Sequence, residues 1–324
     1  MSRNIFRGIA RRICPQYYQY LKLCYSHKYQ LQAIDQYREM TEEEIVVKIT
    51  EQYESSTGHT LHLDNPQRFT EKIQWRKAFD RDPVYSRISD KYAVHEWVKK
   101  KIGEEYLIPL LGVWESEKDI DFKSLPQQFV LKTNNASGTN TIVTDKSKID
   151  KRIVRENYRF WLQYPFGFNT MELHYNAIKP LIIAEKFMVQ PGSNDLTDYK
   201  FFCFDGNPMY CQVITDRRDA ECIDFFDMEW SHQIYKFNNL NNKGKKIQKP
   251  ENYNEMIYLS RVISKGFSFV RVDFYEIDGK IYFGEMTFTP ASGLNVFSPD
   301  DWDYRLGELW DINKQQIDRN IVRI

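Results

Sequence analysis

Several common catalytic signatures are missing from this 324-residue chain. The five cysteines (Cys14, Cys24, Cys203, Cys211, Cys222) form no CxxC pair and no metal-ligand spacing. The six histidines make no HExxH or paired motif, so a zinc centre is not expected. An odd, scattered set of cysteines fits reduced, mostly buried thiols in a cytosolic protein. No GxxxxGK[ST] or GxGxxG occurs, which removes the Walker A loop and the dinucleotide fingerprint. No Ser-His-Asp or Cys-His constellation stands out. There is no surplus of either charge: 45 basic residues balance 45 acidic ones. That argues against a dedicated nucleic-acid binder, which needs a basic face. No run approaches the roughly 18 apolar residues of a membrane-spanning helix.

What is present supports real cores, with 42% hydrophobic and 15% aromatic residues. The length suggests two or three structural units. Residues 1–45 form a basic N-terminal arm, whose first 35 residues carry six Lys/Arg against one Asp. NIFRGIARRIC places Ile5, Phe6, Ile9 and Ile13 on one helical face, with arginines around the rest. It is too interrupted by arginine for a secretory signal. Two readings stand: a terminal helix packed on the domain, or a short helix on an anionic membrane surface.

Residues 46–110 read as helical. Thr41 caps a helix over MTEEEIVVKITEQYES, Thr70 caps one after DNP, and Ser89 or Asp90 caps one closed by Gly103. Residues 111–190 turn to short strands and one helix. Residues 191–324 carry two hairpins, two helices and polar loops. Helices first, then mixed antiparallel strands with helices, give an α+β layout.

The stretch VRVDFYEIDGKIYFGEMTF (residues 270–288) is a hairpin turning at Asp278-Gly279. A two-residue loop would pair Ile277 with Lys280 and send Glu285 to the face away from Asp273. A three-residue loop pairs Glu276 with Lys280, sets Arg271 opposite Glu285 and places Asp273 one diagonal step away, about 7 to 8 Å. The odd-length loop is the expected one. Asp273, Glu285 and the hydroxyl of Thr287 are then hard oxygen ligands suited to Mg²⁺. FVLKTNNASGTNTIV sets Lys132 at a strand end before a small-residue loop, Asn135 to Thr139, that can turn N–H groups toward a phosphate. Glu185, Lys186, Phe187 and Met188 close another apolar strand, where backbone groups and a carboxylate suit an adenine edge and a ribose. Lys91 and Lys200 are ordinary when read singly.

Taken in order, NPQRFTEKIQW, ISDKYAVHEWV, IGEEYLIPLLGVW, LPQQFVLKTNNASG, PLIIAEKFM, DYKFFCFDG and VRVDFYEIDGKIYFGEMTFTPASG resemble the TupA-like ATP-grasp family of glycan biosynthesis. The resemblance implies an ATP-grasp fold, with ATP between a small lid subdomain (111–190) and a large subdomain (191–324) holding the metal. It further implies that Lys91 and Lys132 contact phosphates, and that Asn135, Ser137, Gly138 and Thr139 cover them. The Glu185–Met188 strand would hold adenine and ribose, and Asp273 with Glu285 would hold Mg²⁺. Arg271, with Lys200, would act on the γ-phosphate or an acyl phosphate. Two positions depart from the family pattern: Thr287 stands where an asparagine is usual, and Asn135 where histidine is frequent. The implied activity is an ADP-forming carboxylate–amine ligase acting on a small-molecule or glycan acceptor; a cytoplasmic location is expected, at the inner face of the membrane under the membrane-binding reading of the basic arm. A nucleotide-sugar glycosyltransferase is the alternative, with DRRD (216–219) and SPDDWD (298–303) as its acidic stretches. A nucleotide-binding module without turnover, or a phosphotransferase, is a further one.

Overall fold

The computed structural model describes residues 15–190, 195–216, 221–234, 236–237 and 247–322. The arginine-rich segment 3–12 lies outside them. The chain opens with α1 (Pro15–Asp35) and α2 (Glu42–Thr57). A capping box starts α2: Thr41 Oγ1 accepts from Glu44 N, and the Glu44 carboxylate accepts from Thr41 N at 2.7 Å. Next come α3 (Phe69–Phe79), α4 (Pro83–Ser89) and α5 (Ala93–Ile102). Asp90 caps α5, accepting from Tyr92 N and Ala93 N, and Gly103 ends it with a φ of +116°. No described helix is long and apolar enough to cross a membrane.

A four-stranded antiparallel sheet follows, in order β1 (Leu110–Trp114), β4 (Ile182–Lys186), β2 (Phe129–Thr133), β3 (Asn140–Val143). One face is covered by α6 (Lys151–Trp161), whose Val154 and Tyr158 pack on Phe129, Leu131 and Ile182. The second sheet has six strands, in order β11 (Lys280–Thr287), β10 (Phe269–Ile277), β5 (Asp198–Phe204), β6 (Asn207–Thr215), β7 (Cys222–Asp227), β8 (His232–Gln233). Two short strands, β9 (Lys236–Phe237) and β12 (Phe297–Ser298), pair beside it. The antiparallel sheets and their helical covers bear out the α+β reading.

Side-chain alternation divides the large sheet. Tyr199, Phe201, Cys203, Val270, Val272 and Phe274 point to one face, under α4, α5 and α7 (Tyr253–Ser264). Phe202, Phe204 and Phe269 point to the other, where α3 and α8 (Asp301–Glu308) cover them with Phe69, Ile73, Trp302 and Leu306. That second cover stops halfway along the strands. The uncovered half carries the polar residues of β5, β10 and β11.

Two local expectations need correction. Thr70 does not cap α3, which begins at Phe69. Its N–H and hydroxyl both reach the Asp303 carboxylate, at 2.9 and 2.5 Å, so a tertiary partner on α8 replaces the local cap. The hairpin turn has two residues, not three: Ile277 pairs with Lys280, with Asp278 and Gly279 both at positive φ. The extra residue lies within β11 instead. A bulge there makes Phe274 pair with Phe283 while Asp273 pairs with Glu285. Phe283 and Met286, an odd number of positions apart, therefore both face the same core.

Asp303 yields a pH prediction. Burial raises its carboxyl to about 7, against the lowering effect of the Thr70 hydrogen bonds. A carboxyl raised on folding contributes full stability below its unfolded value, near 3.8, and loses that contribution as pH climbs through 7. Stability should thus decline from pH 4 toward pH 7 through this group, and Asp303→Asn should flatten that decline. Urea unfolding of both proteins across the range checks it.

Candidate active site

The open half of the large sheet faces the small sheet across a cleft with two adjoining lobes. Register aligns one row of side chains across four strands: Glu285 on β11, Asp273 on β10, Lys200 on β5 and Gln212 on β6. The neighbouring row begins Thr287, Arg271. Asp273 is the hub and only 1% exposed. Its Oδ1 accepts from Arg271 Nε at 2.7 Å, and its Oδ2 accepts from Arg271 Nη2 at 2.7 Å and from Lys200 Nζ. Lys200 also lies 3.3 Å from Asp198 Oδ1. Arg271 Nη2 reaches on to Glu285 Oε1 at 2.9 Å and Thr287 Oγ1 at 3.0 Å, and the Thr287 hydroxyl donates to Glu285 at 3.2 Å.

The electrostatics follow from this crowding. Burial works against ionisation of Glu285, yet Lys91, Lys200 and Arg271 hold its carboxyl well below the usual range. Burial would also lower Arg271, but Asp273 and then Glu285 raise it further. Lys91 is pushed down by burial, with Glu285 opposing. Glu285 remains 36% exposed, so it is the member of the cluster that opens to the cleft.

The expected phosphate loop is stapled to the start of α5. Lys91 Nζ donates to the Ala136 carbonyl at 2.7 Å, and Lys91 N donates to the Asn134 carbonyl at 3.1 Å. Asn134, which sequence reasoning passed over, is fully buried. Its amide donates to Asp90 and to the Lys179 carbonyl, and its Oδ1 accepts from Leu181 N. Thr133 and Thr139 close the loop through their hydroxyls at 2.6 Å. Ser137 and Gly138 are exposed at its tip. Asn135 turns inward: it is buried, and its Oδ1 has no hydrogen-bond partner.

One lobe, of about 410 Å³, is polar and lined by Lys91, Lys132, the Ala136–Asn140 loop, Lys200, Arg271 and Glu285. The other, of about 290 Å³, is lined by Ile108, Val130, Ile142, Phe187 and Met188, with Glu185 and Lys186. Lys132 belongs to both, paired with Glu185 at 2.7 Å. The first lobe suits a polyanion and the second a flat apolar group with a polar edge. Asp273 and Thr287 sit behind Arg271 rather than on the cavity wall. Asp198, Gln212 and Tyr275 also line the cleft. Only the register, placing Gln212 opposite Lys200, could have revealed them.

No group of three or more His, Cys, Asp or Glu side chains able to hold a metal occurs among the described residues. Asp273 and Glu285 nevertheless fit a Mg²⁺ of the kind held by one or two carboxylates, with ligand oxygens and water filling the shell. In their present pairing, the arginine and lysine neutralise the charge that such an ion would take.

A family model described as TupA-like ATPgrasp matches residues 71–311, about three quarters of the chain. No curated protein matches. Among solved structures, D-alanine–D-alanine ligase from Bacillus anthracis complexed with ATP is 17% identical, with 63% of this chain and 55% of that one covered and a TM-score of 0.35. N5-carboxyaminoimidazole synthetase from Staphylococcus aureus complexed with ADP is 15% identical, covering 61% and 43%, at a TM-score of 0.35. The ATP-grasp ligase PsnB, complexed with minimal precursor, Mg and ADP, is 13% identical, covering 69% and 60%, at 0.36. The chain spans about half the length of these structures. With the family model spanning both sheets and the cleft between them, the chain belongs to the TupA-like ATP-grasp family and has the ATP-grasp fold.

Proposed function

We propose that the protein is an ATP- and Mg²⁺-dependent carboxylate–amine ligase. The single observation that carries this reading is the Glu285–Asp273–Lys200 row with Arg271, in which Glu285, Lys200 and Arg271 line the same cleft lobe as Lys91 and Lys132, with Asp273 behind them. ATP would lay its base against Phe187 and Met188, its ribose near Glu185, and its phosphates along Lys132, Lys91 and the Ser137–Thr139 loop. Bound Mg²⁺ would neutralise phosphate charge between Asp273 and Glu285. A carboxylate oxygen of the acid substrate attacks the γ-phosphorus and ADP departs, leaving an acyl phosphate. An amine then attacks the acyl carbon, phosphate leaves with the C–O electrons, and the proton lost by the amine passes to that phosphate. Arg271 faces the transferring group with a fixed fork, oriented by Asp273, while Lys200 is held in place by Asp198 and Asp273.

A role in cell-surface polysaccharide synthesis, joining an amino acid to a sugar acid or glycan, rests on the family alone. The glycosyltransferase reading finds less support. In the SPDDWD stretch Asp300 pairs with Arg68, Asp301 with Arg305, and Asp303 holds Thr70, so its acids are occupied in helix packing. In DRRD, residues 217–219 lie outside the described residues.

The test is nucleotide turnover, screened against amino acids and uronic-acid glycans. Release of ADP and phosphate is expected; AMP with pyrophosphate, or turnover of nucleotide sugars alone, would contradict the reading. Lys132→Ala should weaken ATP binding by about 1.5–3 kcal/mol, the range for hydrogen bonds to charged groups. Calorimetric titration of both proteins measures it.

A further inference from the structure

A cavity of about 450 Å³ lies at the end of β11, where α3 and α4 meet the Leu173–Ala177 turn. It shares no lining residue with either lobe of the nucleotide cleft. Tyr85, Leu173, Ile178 and Phe288 give it apolar walls. Of two polar groups on its lining, one lacks a counter-charge and the other a hydrogen-bond partner.

Lys77 is 4% exposed, and its ammonium donates to Gln74 Oε1 at 2.7 Å and to the Ser292 carbonyl and hydroxyl at 3.2 and 3.1 Å. These acceptors are neutral, and no carboxylate among the described residues lies within ion-pair distance. A buried charge without a counter-ion is costly. Burial accordingly lowers Lys77 to about 8, with only the more distant Glu172 opposing. The second group is His174, whose buried Nε2 has no hydrogen-bond partner. Burial, then the charges of Arg76 and Lys77, lower it to about 3, so the ring is neutral and one nitrogen carries a proton to donate. The acids lining the cavity cannot serve Lys77. Asp80 takes the Tyr85 hydroxyl and faces Arg76, Asp82 caps α4 and pairs with Arg319, and Asp90 caps α5 and holds Asn134.

We propose that this cavity is a second ligand site, for an organic anion whose carboxylate meets Lys77 and His174 and whose apolar body fills the space between Tyr85, Leu173, Ile178 and Phe288. An ammonium and a neutral donor set behind apolar walls complement a carboxylate on a hydrophobic body better than an inorganic ion, which would leave the walls unmatched. The site stands apart from the ligase reading, since it shares no lining residue with the nucleotide cleft.

The test uses the full chain in thermal unfolding with benzoate, at constant ionic strength, and benzyl alcohol as the uncharged counterpart. Benzoate well above its dissociation constant should raise the midpoint by about 2 °C or more. Benzyl alcohol should not, and the benzoate shift should persist in saturating Mg²⁺–ATP. Lys77→Met should lose the benzoate shift while keeping the Mg²⁺–ATP shift. Ile178→Trp, which fills the cavity and leaves Lys77 intact, should do the same and covers the case in which Lys77→Met fails to fold. No benzoate shift in the wild type, a shift retained in the variants, or one erased by Mg²⁺–ATP would overturn the proposal.

Discussion

Glu285→Gln should erase the Mg²⁺-dependent part of ATP stabilisation and lower ATP turnover by about 10² to 10³-fold, the loss typical of removing one charge-stabilising group from an active site. Its fold should survive almost unchanged. Its side chain is 36% exposed, so losing the Arg271 contact there should cost less than breaking the fully buried Asp273 pair. Asp273→Asn should match it in activity and differ in stability. Asp273 is buried beneath two cations, and the amide would leave Arg271 with Glu285 alone and Lys200 with Asp198 alone as counter-charge. Breaking a buried pair from one side costs about 3–5 kcal/mol. Thermal unfolding with and without Mg²⁺–ATP separates the two effects. Equal stability loss in both variants, or an undiminished Mg²⁺ increment in either, would remove the metal assignment.

The second large effect concerns the base of the same hairpin. Arg76→Met should destabilise the protein by about 3–5 kcal/mol, since it strips charge and donors from a closed site. Arg76 is 2% exposed and donates to the Phe269 and Phe288 carbonyls at 3.0 and 3.1 Å. Those groups flank the hairpin, one at the start of β10 and one just past β11. Its guanidinium also lies 4.2 Å from the Trp310 ring centre and 3.6 Å from Asp80. Methionine would keep the stem, take the donor from two carbonyls and leave the Asp80 carboxylate with the Tyr85 hydroxyl but no cation. A midpoint fall of roughly 10 °C is expected, at 2–4 °C per kcal/mol for a protein of this size. A fall of only a degree or two would mean that the hairpin is held elsewhere.

Much of this was legible in the residues. The Asp278-Gly279 turn, the apolar strands and the Thr41 capping box follow from local chemistry. The carboxylates share one face as expected, yet for the wrong reason, and they stand directly opposite each other rather than one diagonal step apart, with Arg271 facing Thr287 instead of Glu285. The extra residue is Gly284 itself, unpaired at a bulge, and a glycine inside a strand is the one local hint of that. A Cβ there would approach the Asp273 carbonyl to 3.2 Å. Arg76 and Lys77, two charges that drew no reading in the sequence, are both buried, because α3 is enclosed by α8, the hairpin and the Pro290–Gly293 turn. No periodicity encodes that enclosure. Asn135 was expected over the phosphates and instead turns inward, while Asn134 ties the loop to β4 and α5. One-residue choices of this kind are set by tertiary hydrogen bonds, which a single strand–loop stretch does not reveal.

The most direct measurement is a crystal structure with Mg²⁺ and a non-hydrolysable ATP analogue. The metal should lie about 2.1 Å from oxygens of Asp273 and Glu285. The phosphates should lie against Lys91 and Lys132, and the base between Val130 and Met188. Phosphates outside this cleft, or a metal bound away from both carboxylates, would contradict the account.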